Sequence, residues 1–308
     1  MMAALLGFSN ASLAGHSLAE ACAVGHELGF RAVEFLAFDG FRHRAGRLAG
    51  FYFERMTEAE REELRELAQG FERVSLHAQF YEVPILSPSP ALREVAWEQL
   101  VVSLQAAAYL GASTVTTHAA LKASYSLEES WDELVAHYRR LGDVAADLGV
   151  TVTIETIFPP TIEDFARLVH EVDHPAVGAN VDVGHLRHLV PVEVREAGTV
   201  AGFYNDLLER HIRSLGEKVW HFHLHDVREE GLRDHRACGR GIIDYARLLR
   251  VADELDYAGV FVFELEETDR VEALAESRDC LLRAAETAGI ASGGVCPRRT
   301  GDSRPAGG

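Results

Sequence analysis

Apolar and polar positions along this chain change period in a fixed rhythm. Short apolar or alternating runs, the signature of strands, are each followed by a longer stretch with apolar residues three or four apart, the signature of an amphipathic helix. The strand-like runs are residues 3–8, 31–36, 73–77, 113–118, 150–155, 176–182, 219–225 and 260–264. Helical periodicity covers 17–28, 57–69, 91–110, 127–148, 162–172, 200–215, 244–255 and 271–288. The punctuation agrees. Gly29, Gly111 and Gly149 follow helix ends, Thr57-Glu58-Ala59-Glu60 offers a capping box, and Pro84, Pro88 and Pro90 mark the loop before the third helix. Strict β–α alternation implies parallel strands joined by crossover helices, and eight strands close such a sheet into a barrel. The expected architecture is α/β: a single (β/α)8 TIM barrel catalytic domain over residues 1–290, then a flexible tail, 291–308, rich in Gly, Pro and Arg.

The seventh strand carries chemistry. In Val219-Trp220-His221-Phe222-His223-Leu224-His225-Asp226, side chains alternate between faces, so Trp220, Phe222 and Leu224 share one face and the three histidines the other. Other strands end in similar groups: Glu34, His77, His118, Glu155, Asp182 with His185 just beyond, and Glu264. In a parallel barrel these ends open onto one face, where barrel enzymes keep their sites. Carboxylates mixed with imidazole suit manganese, cobalt, zinc or iron, whereas magnesium prefers oxygen alone. Three carboxylates and one histidine favour a hard ion, manganese over copper.

Five segments, VTIET at 152–156, NVDVGH at 180–185, WHFHLHD at 220–226, GRGIIDY at 239–245 and VFELE at 262–266, resemble the xylose isomerase-like barrel superfamily. That superfamily includes sugar and sugar-phosphate isomerases, ketose epimerases, inosose dehydratases and endonuclease IV. In its isomerase and epimerase branch the resemblance implies one divalent metal ion (Mn, Co, Mg or Zn) held by Glu155, Asp182, His223 and Glu264. Glu155 and Glu264 then double as the catalytic acid/base pair, moving a proton through an enediolate of a small sugar, sugar phosphate or related ketone. His185, His77, His118, His235, Arg236 and Glu34 are the expected substrate-binding residues. The endonuclease IV branch implies a zinc phosphodiesterase acting on abasic DNA, with His77, His118, His185 and His235 as further ligands. There this chain departs, with Arg233 standing where that branch has an aspartate and Asp234 as the available replacement. A polyol or keto-acid dehydratase uses the same proton abstraction.

Composition narrows the partners. With 30 basic and 48 acidic residues, a net charge of −18 repels nucleic acid and anionic lipid at long range, so a small-molecule carbohydrate is the expected partner and DNA is disfavoured. Four separated cysteines form no C-x-x-C pair, which fits a reducing cytoplasm. No apolar run approaches a membrane span. A homo-oligomer stays open. Plainer roles compete at several positions. His77 and His118 read equally as site residues or as structural strand-end histidines. His221 reads as a core histidine, His225 as either, and Glu34 as a partner of a basic group. The helical histidines His16, His26, His137, His170 and His211 read as solvated surface. The basic and aromatic loop from Asp39 to Arg55 reads as a clamp for a substrate phosphate or carboxylate, as a solvated loop or as a subunit contact.

Overall fold

The computed structural model describes residues 5–122 and 124–290. The start of the first expected strand, residues 3–4, and the expected tail, 291–308, lie outside them. Eight strands, β1 (Leu5–Ser9), β2 (Ala32–Leu36), β3 (Arg73–His77), β4 (Thr114–Thr117), β5 (Thr151–Glu155), β6 (Val177–Asp182), β7 (Val219–Leu224) and β8 (Val260–Phe263), form a closed parallel barrel. Every strand pairs with its neighbours in sequence, and β8 closes onto β1. The helices around it are α1 (Leu18–Glu27), α2 (Glu58–Gln69), α3 (Pro90–Leu110), α4 (Leu127–Asp147), α5 (Ile162–Val172), a short α6 (Val192–Glu196), α7 (Val200–Leu215), α8 (Tyr245–Glu254) and α9 (Arg270–Ala288). No helix among the described residues is long and apolar enough to cross a membrane.

Local chemistry explains where the elements begin. Ser17, Thr57 and Ser126 each accept the backbone N–H of a glutamate three residues on, and that glutamate's carboxylate reaches back to the cap, so α1, α2 and α4 all start on complete capping boxes. Strand parity then divides the side chains. Val33, Phe35, Leu76, Val115, Val152, Ile154, Val181, Phe222 and Phe261 join the helices in one continuous apolar core. The opposite parity supplies few apolar side chains, among them a small cluster of Ala32, Val260 and Val262. Many of its other members are polar yet buried: Glu34, Ser75, His77, Thr116, Thr153, Glu155, Asn180, Asp182, His221 and His223. Barrel interiors are ordinarily filled with branched apolar residues. Here the polar parity of the sequence is the barrel interior, and it places ionisable groups there.

Among the helical histidines His211 departs furthest from expectation. His211 on α7 is fully buried, not solvated. Its Nε2 lies 2.9 Å from Thr156 Oγ1, whose hydroxyl also lies 3.1 Å from the Asn180 carbonyl. If that hydroxyl proton goes to the carbonyl, the neutral ring donates to Thr156, and its Nδ1 has no partner. Burial pushes the His211 pKa down to about 3. The unfolded chain therefore binds a proton that the folded one refuses, and stability falls as pH drops from about 6.5 toward 3. Between pH 6.5 and 5 the loss approaches about 2 kcal/mol, at about 1.4 kcal/mol per pH unit. His211→Gln, which does not titrate, should narrow the gap between the melting temperatures at pH 7.5 and pH 5. An unchanged gap would remove His211 as a source of acid sensitivity.

Candidate active site

Strand ends and register build the site together. Glu155 and Asp182 are the last residues of β5 and β6, His77 the last of β3, and His223 lies one short of the end of β7, paired in register with Asp182. Glu264 and His118 each follow their strands by one residue. Ligand atoms of Glu155, Asp182, His223 and Glu264 all lie within 4.8 Å of one another. His223 Nδ1 is 3.2 Å from Glu264 Oε2, 3.4 Å from Glu155 Oε2 and 3.9 Å from Asp182 Oδ2. Both ring nitrogens of His223 are buried without an in-line hydrogen bond.

Around this group stand further imidazoles. Glu155 Oε2 lies 3.1 Å from His77 Nε2 and 3.2 Å from His118 Nε2, while its Oε1 lies 3.2 Å from His185 Nδ1. Asp182 is fixed by backbone N–H groups of Gly184 (2.9 Å) and His185 (3.0 Å), and His225 Nε2 meets both its oxygens at 2.9 and 3.0 Å. His225 Nδ1 accepts the His235 backbone N–H at 2.9 Å, so the ring proton sits on Nε2 and is given to Asp182. Gly184 makes that contact feasible, because a Cβ there would stand 2.1 Å from the His225 ring.

The charges are unbalanced by geometry. Burial alone would raise the carboxyl pKa of Glu155, but His118 and His223 outweigh it and hold the group well below the usual carboxylate range. Asp182 is likewise held down by His185 and His225 against burial. Burial would lower His77 and His185, yet their carboxylate neighbours raise them to about 9 and about 10. Burial prevails at His118 and His235, which are lowered. Two buried carboxylates and the partly exposed Glu264, all close to one imidazole nitrogen, call for positive charge, and oxygen donors with a single nitrogen suit a hard divalent ion. The residues present fit such an ion. Three further groups adjoin this one: His77 with His118 and Glu155 and His185 with His225 and His235 on its flanks, and Glu34 with His221 and His223.

The other expected site residues fall elsewhere. Glu34 lies within β2, two residues before its end, fully buried beneath the cluster. Arg236 does not enter the carboxylate group. Its guanidinium is occupied by Glu267 at 2.8 Å and by the Asp234 and Glu266 carbonyls. Asp234 pairs with Arg187 at 2.5 Å and does not join the His185 group. His235 stacks on His225 at 4.1 Å. In the loop from Asp39 to Arg55, Arg47 pairs with Asp39 and Arg55 lies over Tyr52, while Phe41 stacks on Tyr81.

Aromatic neighbours that sequence reasoning passed over complete the wall. Phe80 stacks on His118 at 5.0 Å, and Phe38 meets His77 edge-on at 6.4 Å. Both follow strand ends by a few residues, the only signal the sequence carried for them. Beside His118 opens a cavity of about 260 Å³, lined by Phe80, Val83, Leu100, Leu121, Ile157 and Phe158 among others. A larger cavity of about 900 Å³ lies between α1, α2 and the loop before α2, away from the carboxylates.

The family model for the xylose isomerase-like TIM barrel matches residues 22–284. This chain belongs to that family. It is similar to an inosose dehydratase of Geobacillus thermodenitrificans (strain NG80-2), 28% identical over 159 residues, 46% of this chain and 48% of that protein. The chain thus spans about half the length of the curated relative it matches. Among solved structures it shares its fold with a D-tagatose 3-epimerase-like protein at TM-score 0.72 and 20% identity, covering 92% of this chain and 98% of that one. It shares it also with the IOLI protein, solved with a bound zinc atom, at TM-score 0.71 and 16% identity, with 92% and 98% covered.

Proposed function

We propose that this protein is a divalent-metal-dependent isomerase or epimerase of a small sugar or related ketone. The observation that carries the reading is the meeting of ligand atoms of Glu155, Asp182, Glu264 and His223 within 4.8 Å of one another at the barrel mouth. Those four residues would hold the ion, which when bound polarises a substrate carbonyl and its neighbouring hydroxyl and so acidifies the C–H between them. Glu155 and Glu264 move the proton. Glu155, nearly inaccessible and ringed by His77, His118 and His185, stays ionised and accepts it on one face of the carbon. Glu264, whose side chain is 16% exposed, returns a proton on the other face and can exchange it with water. Which carbon regains the proton decides between isomer and epimer. Dehydration and epimerisation can both begin from this proton abstraction, and the chain is similar to proteins named as an inosose dehydratase and as D-tagatose 3-epimerase-like.

The apolar cavity beside His118 favours a substrate end without charge. A neutral ketopentose or ketohexose should therefore be turned over with kcat/KM at least about tenfold above its phosphate ester, burial of a dianion against apolar walls being costly. A phosphate ester that is preferred would contradict this.

A second reading, a zinc phosphodiesterase, is favoured by the two flanking donor groups. Against it, both nitrogens of His225 are already engaged, one with Asp182 and one with the His235 N–H. Metal content of the purified protein together with a ketose panel separates the two. About one manganese, cobalt or magnesium per chain and conversion of a ketose support the proposal. Two or three zincs with incision of abasic duplex DNA and no ketose conversion overturn it.

A further inference from the structure

Glu34 has no place among the groups that face substrate, yet it is fully buried in the barrel interior, where an unpaired carboxylate is costly. Three polar groups converge on it from two strands. Ser75 Oγ–H gives to Oε2 at 3.0 Å, His221 Nε2 lies 3.1 Å from the same oxygen, and His223 Nε2 lies 2.9 Å from Oε1, a close contact out of line for a hydrogen bond. The other nitrogen of His223, Nδ1, is the one turned toward Glu155, Asp182 and Glu264. Sequence parity alone suggested a strand-end group reaching substrate. Its position one layer below His223 gives it a different task.

We propose that Glu34 is the positioning residue of the metal site, fixing the proton of His223 on Nε2 so that the Nδ1 lone pair faces the three carboxylates. The inference rests on the proposed metal site and concerns how that site is tuned. A carboxylate is an acceptor only, so it can receive both imidazole N–H groups and the serine hydroxyl at once. Glutamine keeps the shape but puts a donor NH2 against one of the two imidazoles. That ring must then carry its proton on the other nitrogen, and for His223 the other nitrogen is the one aimed at the ion. A carboxylate behind a ligating imidazole also makes the ring a stronger donor, and removing such partners typically weakens metal binding 10–100-fold.

The test compares manganese dissociation constants of wild type, Glu34→Gln and Ser75→Ala by chelator competition, with the melting temperature of each chelated protein measured in parallel. The expected result is a dissociation constant raised 10–100-fold in Glu34→Gln and less than about threefold in Ser75→Ala, with altered cobalt absorption bands in Glu34→Gln alone. A purely structural Glu34 would lower the melting temperature and leave the dissociation constant and the cobalt spectrum within about threefold and unshifted, which overturns the proposal. If Glu34→Gln does not fold, imidazole 15N spectra of the zinc-loaded wild type decide. A proton on His223 Nε2 supports the role, and one on Nδ1 overturns it. A wild type that takes up no divalent ion defeats the metal-site reading itself, whereas equal uptake by wild type and Glu34→Gln defeats only the role of Glu34.

Discussion

Glu155→Gln should lower turnover at least about a thousandfold while the barrel still folds, because the group that takes the proton is gone and its shape remains. Glu155 is the side chain on which the whole site converges. His77, His118, His185 and His223 all approach its oxygens within 3.4 Å. An amide cannot accept a proton from carbon, and it offers an NH2 to a site already rich in imidazole N–H groups. Asp182, His223 and Glu264 stay in place, so metal binds more weakly but is retained. Steady-state kinetics with metal analysis on the same sample checks both halves. Full activity in the variant would end the proposed acid/base assignment, and complete loss of metal with lost activity would reduce Glu155 to a ligand.

Removing the ion should have a comparably large effect. After dialysis against a chelator, turnover is expected to fall by more than about a hundredfold, and one equivalent of manganese or cobalt should restore it. Charge accounts for the accompanying changes. With no cation among Glu155, Asp182 and Glu264, the neighbouring histidines carry the compensation, and His77 and His185, raised to about 9 and about 10 by their carboxylates, are protonated at pH 8. A bound ion takes over that role, the histidine pKa values drop, and protons leave. Metal binding at pH 8 should therefore release protons, seen as a binding heat that changes with the ionisation heat of the buffer. Buffer-independent heat, or activity that survives chelation, would count against a metal in this cluster.

Much of the barrel was legible because its signal is periodic. Eight changes of period, with a capping box at Thr57, leave little freedom of topology, and the alternation of the seventh strand marks the inner face in the sequence alone. The central four residues were legible for the same reason, as strand ends on one rim. What stayed hidden depends on depth and on contacts between distant segments. Glu34 looked like a rim residue because it was grouped with the strand ends although its strand runs two residues further, to Leu36. His211 looked solvated because nothing near it in the chain announces Thr156, 55 residues away. The tie between His225 and Asp182 needed the missing side chain of Gly184, and the occupation of Arg236 by Glu267 spans 31 residues.

The central claim is that Glu155 and Glu264 transfer a proton at a carbon beside a carbonyl. Incubating the metal-loaded protein with a neutral ketose in D2O and following the sugar by NMR tests it most directly. Because Glu264 is partly exposed and exchanges its proton with water while Glu155 is shielded, deuterium should appear in the product at the carbon next to the carbonyl, substrate recovered early should keep the proton that Glu155 returns to it, and Glu155→Gln should abolish the incorporation. Conversion of sugar with no deuterium at that carbon, or exchange that persists in Glu155→Gln, would contradict it.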